Sequence, residues 1–144
     1  MKVYFTKLNK DAVIPTYAHP GDAGMDIRAI EDVELNPHET KIIHTGIAVA
    51  LPVGYELQVR PRSGLSLKTP LRIPNAPGTI DSGYRDEIGV IMENTSNEAF
   101  KINKGDRIAQ LVLAKYATAD FVETEDVKTI GDNRGGGFGH TGIK

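Results

Sequence analysis

Turn-forming residues interrupt this chain so often that long helices have little room to form. The turn signals combine proline, glycine and small polar residues, and they occur at Pro20-Gly21, Asn36-Pro37, Pro52-Val-Gly54, Pro77-Gly78, Asn94-Thr-Ser-Asn97 and Lys104-Gly-Asp106. Each cluster favours a tight turn or a loop over the continuation of a helix. The chain is therefore predicted to consist of many short elements.

The segments between these turns have the side-chain pattern of strands. Apolar and polar residues alternate over Tyr55–Arg60, large apolar residues share one face over residues 88–92, and residues 108–113 are apolar except for Gln110. A period of two places successive side chains on opposite faces of a sheet, so one face of each segment can be buried.

Helical periodicity is nearly absent. The best candidate for a helix is a short one at Ser63–Lys68, where the hydroxyl of Ser63 is expected to cap the N-terminus. Many short strands joined by regular turns predict an all-β fold, either a jelly roll, another sandwich or a β-barrel.

Composition limits the classes of function. The 144 residues are enough for one domain, and the formal net charge of −2 gives no basic surface for a nucleic-acid polymer or an anionic membrane. The chain has no cysteine, which excludes disulfides and thiolate metal sites. The first ten residues do not resemble a signal peptide, and no apolar run is long enough to span a membrane. We expect a cytoplasmic protein with no membrane partner.

Residues 60–65, Arg-Pro-Arg-Ser-Gly-Leu, have the composition of a phosphate-binding loop. They place two guanidinium groups, a hydroxyl and a glycine between an alternating strand and a possible helix start. Guanidinium forks bind phosphate oxygens, and backbone N–H groups at a helix start supply further donors. The same residues are also compatible with a solvated turn that carries two surface arginines.

Residues 75–85, Asn-Ala-Pro-Gly-Thr-Ile-Asp-Ser-Gly-Tyr-Arg, predict a hairpin that can hold a small planar ligand. Asp81 is a candidate general base towards a water molecule, and the ring of Tyr84 offers a flat apolar surface to a base or a sugar. A plain hairpin with an aspartate in its turn is the alternative interpretation.

Several common sites are excluded. The histidines at positions 19, 38, 44 and 140 lack the i, i+3 or i, i+4 partners of a local zinc site. Neither a P-loop nor a G-x-S-x-G motif is present. Residues 137–142, GFGHTG, fit the dinucleotide fingerprint, but only two residues follow, which is too few for the helix that the fingerprint requires. This glycine-rich terminus is either a lid over a ligand or a frayed end.

Taken together, these segments resemble the five motifs of the homotrimeric dUTP pyrophosphatase (dUTPase) family. The matching stretches, in order, are residues 23–27, 61–65, 78–85, 104–111 and 134–142. The resemblance implies a β jelly roll over residues 1–132 and a flexible glycine-rich C-terminal arm over residues 133–144. It also implies a homotrimer with active sites at the subunit interfaces, which the arm closes over bound nucleotide.

The same resemblance implies the reaction. It is the hydrolysis of dUTP to dUMP and pyrophosphate by Mg²⁺-assisted attack of water on the α-phosphorus, which limits uracil in DNA and supplies dUMP for thymidylate synthesis. Asp81 would orient and deprotonate the water and contact the sugar 3′-hydroxyl. Tyr84 would lie under the deoxyribose, which leaves no room for a 2′-hydroxyl.

The remaining roles are also implied by the resemblance. Mg²⁺ would bind to the triphosphate and to waters, with no direct protein ligand, and Asp26 would support Arg62 and the metal site. The implied substrate-binding residues are Arg62, Ser63, Gly64 and Gln110 on the phosphates, Asn75, Gly78, Thr79 and Ile80 around uracil, and Arg134, Phe138 and Gly139 in the arm.

The chain differs from the family pattern at two places. The spacing from Arg134 to Phe138 is one residue shorter than usual, and Asp86 replaces a glycine. Because a carboxylate near a polyanion is unfavourable, we expect Asp86 to face solvent or a neighbouring subunit.

Two alternative functions remain for the same fold. One is a dCTP deaminase, for which Glu93 is the only nearby carboxylate that could act at C4 of cytosine. The other is a catalytically silent nucleotide-sensing module, although the presence of Asp81, Tyr84 and the arm favours an enzyme.

Overall fold

The computed structural model describes residues 1–136 and consists mainly of short antiparallel strands. The strands are β1 (Tyr4–Lys7), β2 (Gly24–Arg28), β3 (Val33–Leu35), β4 (Thr40–Ala50), β5 (Tyr55–Arg60), β6 (Leu71–Arg72), β7 (Gly78–Ile80), β8 (Glu87–Asn94), β9 (Phe100–Ile102) and β10 (Arg107–Lys115). One short helix, α1 (Ser63–Lys68), follows β5, and a 3₁₀ helix spans Val127–Thr129.

Two four-stranded sheets form the body of the protein. The first has the strand order β1-β4-β8-β6, and the second has the order β2-β10-β5-β7. A two-stranded sheet of β3 and β9 completes the set. Because none of the hydrogen-bonded strand pairs within residues 1–136 is consecutive in the chain, the strands cross repeatedly between sheets, as in a jelly roll. The predicted jelly-roll-like all-β fold is confirmed.

The core lies between the inner faces of the two sheets. Strand β8 shows the alternation most clearly, because Ile88, Val90 and Met92 have no exposed surface while the residues between them are half-buried. On β5 the inward residues are Leu57 and Val59. Burial of these apolar faces is the main stabilising contribution to the sandwich.

Helix α1 begins where the sequence predicts, but it is not capped as predicted. Arg62 occupies the N-cap position in an extended conformation, and no side chain caps the helix. Ser63 is the first helical residue, so the prediction that Ser63 caps the N-terminus is wrong. Because Arg62 is the last extended residue before the helix, the N-cap position falls one residue earlier than predicted.

The predicted hairpin at residues 75–85 is also wrong. Strand β7 pairs with β5, with Val59 opposite Gly78 and Leu57 opposite Ile80, whereas β8 pairs with β4 and β6. The chain therefore passes from one sheet to the other between β6 and β7, and back again between β7 and β8. Pairing with distant strands, which buries Gly78 beside Val59, takes the place of a local pair.

Within the described residues, no strand follows β10. Residues 116–136 contain exposed apolar side chains, and Phe121 is fully exposed. None of the helices within residues 1–136 has the length and apolar character needed to cross a membrane.

Candidate active site

Asp26 holds two arginines at one edge of the second sheet. Its Oδ1 accepts a hydrogen bond from Arg62 Nε at 2.7 Å, and its Oδ2 accepts from Arg62 at 3.4 Å and from Arg107 at 3.2 Å. Asp26 lies on β2, Arg107 begins β10, and Arg62 follows β5. Three strands thus bring these charges together, and charge-assisted hydrogen bonds fix the Arg62 guanidinium.

Gln110 lies beside this cluster and connects it to the loop before α1. Its backbone is paired with Asp26 on one side and with Arg60 on the other. The side-chain Nε2 donates to the carbonyl oxygen of Pro61 at 2.8 Å. The amide of Gln110 is therefore oriented towards the loop that carries Arg62.

The start of α1 presents exposed groups next to Arg62. Ser63 and Gly64 are both exposed, and added atoms at Gly64 would meet nothing within 4 Å. The first backbone N–H groups of a helix have no partner within that helix. The loop thus offers a hydroxyl, backbone donors and a held guanidinium in one place, a combination suited to an anion.

A second group of residues lines a cavity of about 230 Å³ on the other side of β5. Its lining comprises Val59, Asn75, Gly78, Thr79, Ile80, Asp81, Tyr84, Gly89 and Ile91. Glycine at position 78 lets other groups approach, since a Cβ there would lie 3.2 Å from Asn75 Nδ2 and 3.3 Å from Val59 Cβ. The cavity combines an amide, a carboxylate and an aromatic ring, which suits a planar polar ligand.

Asp81 and Tyr84 are placed by a turn between β7 and β8. The backbone N–H of Tyr84 donates to the carbonyl oxygen of Asp81 at 3.1 Å, and both side chains are exposed. The Tyr84 hydroxyl donates to the carbonyl oxygen of Glu87 at 2.8 Å. This bond fixes the ring against the start of β8.

Glu87 ties this turn to a bulge in β4. Its carboxylate accepts hydrogen bonds from the backbone N–H groups of Thr45 and Gly46, at 3.0 and 2.6 Å, and contacts His44 Nδ1 at 2.9 Å. Partial burial acts to raise the pKa of Glu87, but the bonds from Gly46, His44 and Thr45 together outweigh it and lower the pKa below its usual value.

The two groups of residues line separate cavities of one chain. Asp26 and Gln110 line a cavity of about 390 Å³, whereas Asn75, Asp81 and Tyr84 line the cavity described above. Below, the first group is called the phosphate cluster (Asp26, Arg62, Ser63, Gly64, Arg107 and Gln110), and the second is called the base cluster (the lining residues 75–91 of the 230 Å³ cavity).

Three residues of the site, Arg107, Gly89 and Glu87, were not predicted from the sequence. Arg107 joins Asp26 because β10 has an irregular register between Arg107 and Ala109. Gly89 lines the base cluster and is close to Ile42, whose Cγ2 would lie 2.6 Å from an added Cβ. The only indication in the sequence for Glu87 is its position directly after the turn that carries Asp81 and Tyr84. Its hydrogen-bond partners, residues 44–46, are distant in the sequence.

Other predicted residues lie apart from both clusters or outside the described part of the chain. Arg134 is exposed and lines a cavity formed by the C-terminal segment. Phe138 and Gly139 lie outside the described residues. Asp86 is exposed, in agreement with the expectation that it faces solvent or a neighbouring subunit. Glu93 lies further along β8 and is not among the residues that line the base cluster.

Comparison with known proteins identifies the family. The sequence model of the dUTPase family matches residues 10–142, which is nearly the whole chain. The chain belongs to the dUTPase family. This finding confirms the family predicted from the five motifs, together with the predicted class of enzyme, a dUTP nucleotidohydrolase.

Individual relatives agree with this membership of the dUTPase family. A deoxyuridine 5'-triphosphate nucleotidohydrolase of Gloeothece citriformis is 49% identical over 145 residues, which cover 99% of this chain and 98% of the relative. A mutant dUTPase of Staphylococcus bacteriophage 80alpha with dUpNHpp is 30% identical, with a TM-score of 0.88 and 99% of each chain covered. A mutant dUTPase of phage phi11 of S. aureus, described with a structural Mg(II) ion, is 30% identical, with a TM-score of 0.84 over 90% of this chain and 100% of that one.

The phage phi11 dUTPase is described with a structural Mg(II) ion, so the carboxylates of this chain are considered as possible metal ligands. Among residues 1–136 no group of three or more histidine, aspartate or glutamate side chains is close enough to hold one. The carboxylate of Asp26 already accepts three hydrogen bonds from arginine, out of roughly four that a carboxylate can accept. The remaining capacity suits a hydrogen bond from a metal-bound water better than direct coordination.

Proposed function

We propose that this chain hydrolyses dUTP to dUMP and pyrophosphate, with the base cluster holding the nucleoside and the phosphate cluster holding the triphosphate. The observation that carries the proposal is the different chemical composition of the two clusters. One combines an amide, a ring and a carboxylate, and the other combines two arginines, a hydroxyl and a glutamine amide.

Asp81 acts as the general base. Its exposed carboxylate, at the edge of the base cluster, accepts a proton from a water molecule whose oxygen then bonds to the α-phosphorus. The bond from the α-phosphorus to the bridging oxygen of the β-phosphate breaks, and pyrophosphate leaves with that oxygen.

Asn75 and Tyr84 account for substrate selection. The Asn75 amide can donate to and accept from the uracil edge in a cavity bounded by Gly78, Thr79 and Ile80. The ring of Tyr84, held by its hydroxyl, lies against the deoxyribose and excludes a 2′-hydroxyl.

The phosphate cluster stabilises charge as it moves to the leaving group. Arg62 is held by Asp26, so its guanidinium is ordered before substrate binds. Ser63, Gly64 and Gln110 add donors with no net charge. Bound Mg²⁺ would supply neutralisation of part of the phosphate charge, and Asp26 would accept a hydrogen bond from a metal-bound water.

The two clusters act together in a homotrimer. Support comes from their separate cavities in one chain, and from the exposed apolar residues of segment 116–136, such as Phe121 and Val122. A closed ring of three subunits places the base cluster of one chain against the phosphate cluster of the next.

Complementation between two defective variants tests this arrangement. Asp81→Asn keeps the shape of the base but cannot accept the proton, so kcat should fall by about 10²–10⁴ while binding of dUTP survives. Arg62→Ala should also be strongly impaired, because it removes the held guanidinium. The two variants are co-expressed and purified together, and pyrophosphate release is measured.

Restored activity is the expected result. In a ring, an intact site needs Asp81 from one chain and Arg62 from its neighbour. The first chain must therefore carry the Arg62 substitution, and the neighbour must carry the Asp81 substitution. Random mixing gives this combination at about a quarter of the sites. Activity no higher than that of either variant alone would show that each site is formed within one chain. Wild-type turnover by Asp81→Asn alone would remove Asp81 as the base.

A further inference from the structure

Gly24 and Gln110 face each other across two paired strands of the phosphate cluster. Gly24 begins β2 and is paired with Val112, and Gln110 on β10 is paired with Asp26. The side chain of Gln110 therefore lies on the outer face of the sheet, diagonally across from Gly24. Both residues line the cavity of about 390 Å³ that also contains Asp26.

The Gln110 amide occupies the space that a side chain at position 24 would need. A Cβ at Gly24 would overlap Oε1 of Gln110, and it would lie 3.3 Å from Gln110 Cδ and 3.6 Å from Gln110 Cβ. All three of the nearest atoms belong to Gln110. The absence of a side chain at position 24 is therefore matched to this one amide.

Backbone conformation does not require glycine at this position. Gly24 is not among the glycines with a positive φ, which in this chain include Gly21, Gly46 and Gly105. It lies in a regular strand, where alanine is normally tolerated and glycine carries an entropic cost. Space for the Gln110 amide is thus the physical reason for glycine here.

The other end of the same amide is held by the phosphate-binding loop. Gln110 Nε2 donates to the Pro61 carbonyl oxygen at 2.8 Å, directly before Arg62. With Nε2 fixed at Pro61 and Oε1 seated over Gly24, the amide has one defined orientation. A group at position 24 displaces Oε1 and, through the rigid amide plane, disturbs the bond to Pro61.

We propose that Gly24 is a positioning residue for dUTP hydrolysis, which seats the Gln110 amide so that it meets the triphosphate. The inference rests on the proposed function, in which Gln110 belongs to the phosphate cluster. Gly24 makes no contact with substrate in this account and acts only through Gln110.

Stability and activity should respond differently to Gly24→Ala. The clash falls on the far end of the Gln110 side chain, so the strand backbone stays in place, and the weakened bond to Pro61 is offset by the lower entropic cost of alanine in a strand. The melting temperature should therefore be unchanged or slightly raised. In contrast, kcat/KM for dUTP should fall about tenfold, the effect of losing roughly one charge-assisted hydrogen bond.

A double-mutant cycle tests the mechanism by which Gly24 acts. The four proteins are the wild type, Gly24→Ala, Gln110→Ala and the double variant, and each is assayed for kcat/KM with dUTP and for inhibition by deoxyuridine, which lacks phosphates. If Gly24 acts through Gln110 alone, adding Gly24→Ala to Gln110→Ala should cause no further loss of kcat/KM. Inhibition by deoxyuridine should be unchanged in all four proteins.

The outcomes separate this inference from the proposed function. If Gln110→Ala is impaired but Gly24→Ala retains wild-type kcat/KM, the positioning role of Gly24 is overturned while the phosphate cluster stands. Equal, additive losses in both backgrounds would likewise overturn it, because Gly24 would then act independently of Gln110. If Gln110→Ala itself is fully active, the assignment of Gln110 to the triphosphate fails, and the role of Gly24 fails with it.

Discussion

Removing the charge of Asp26 should weaken catalysis by releasing the two arginines that it holds. In Asp26→Asn the side-chain oxygen can still accept from Arg62 Nε at the 2.7 Å position. The new NH₂ group, however, would face the donors of Arg62 and Arg107 that now bind Oδ2 at 3.4 and 3.2 Å. A donor would then face donors, so both of these bonds are lost and the third loses its charge assistance.

The geometry sets the size of the effect. A hydrogen bond to a charged group contributes about 1.5–3 kcal/mol net. The side chains of Arg62 and Asp26 remain 24% and 30% exposed, so solvent screens part of this interaction. A loss of about 1–2 kcal/mol in holding Arg62 corresponds to a fall in kcat/KM of about 5- to 30-fold. The free energy of unfolding should decrease by a similar amount.

Steady-state kinetics with dUTP and a urea denaturation curve measure both quantities. Asp11→Asn is the matched control, because Asp11 also forms an ion pair, with Lys104 at 2.6 Å, but on an exposed surface. Such pairs contribute about 0–1 kcal/mol, and kcat/KM should stay at the wild-type value. In an Arg62→Ala background, Asp26→Asn should have a much smaller effect on kcat/KM. Wild-type kcat/KM in a folded Asp26→Asn variant would refute the reasoning.

Two further predictions concern the turn between β7 and β8. Tyr84→Phe keeps the ring but loses the hydrogen bond to the Glu87 carbonyl oxygen, which contributes about 0.5–1.5 kcal/mol. The kcat/KM for dUTP should therefore fall by at most about tenfold. Because the ring remains, the preference for dUTP over UTP, measured with both nucleotides, should persist. Because the pKa of Glu87 is lowered in the folded chain, its carboxylate stabilises the fold at neutral pH and loses that contribution as the pH falls below the usual value of 4.5. Glu87→Gln should therefore lower the urea midpoint at pH 7 but have a smaller effect near pH 3, whereas an equal loss at both values would assign the effect to packing.

Local patterns accounted for the strands that could be predicted. The period of two over Tyr55–Arg60 and over β8 is visible in the sequence because one face of each strand is buried against the opposite sheet. Glycine, proline and asparagine marked the turns between strands. The position of α1 was predictable for the same reason, although its cap was not, since the cap depends on where β5 ends.

Pairing between distant strands could not be read from local patterns. The pairing of β7 with β5, which replaced the expected hairpin, is decided by burial in the second sheet. Likewise, Arg107 joins Asp26 only because β10 lies beside β2 with an irregular register. The contact between Gly24 and Gln110 has the same origin, because nothing in either local sequence shows which side chain fills the space above the glycine.

The central claim is that this chain acts on dUTP in preference to closely related nucleotides. The most direct measurement incubates the purified protein with Mg²⁺ and, separately, dUTP, dTTP, dCTP or UTP, and quantifies pyrophosphate and ammonia. We expect pyrophosphate and dUMP from dUTP at rates orders of magnitude above those from the other three, because the Asn75 amide is paired with the uracil edge and the Tyr84 ring excludes a 2′-hydroxyl. No ammonia should form from dCTP. Comparable pyrophosphate release from all four nucleotides, or ammonia from dCTP, would contradict the account.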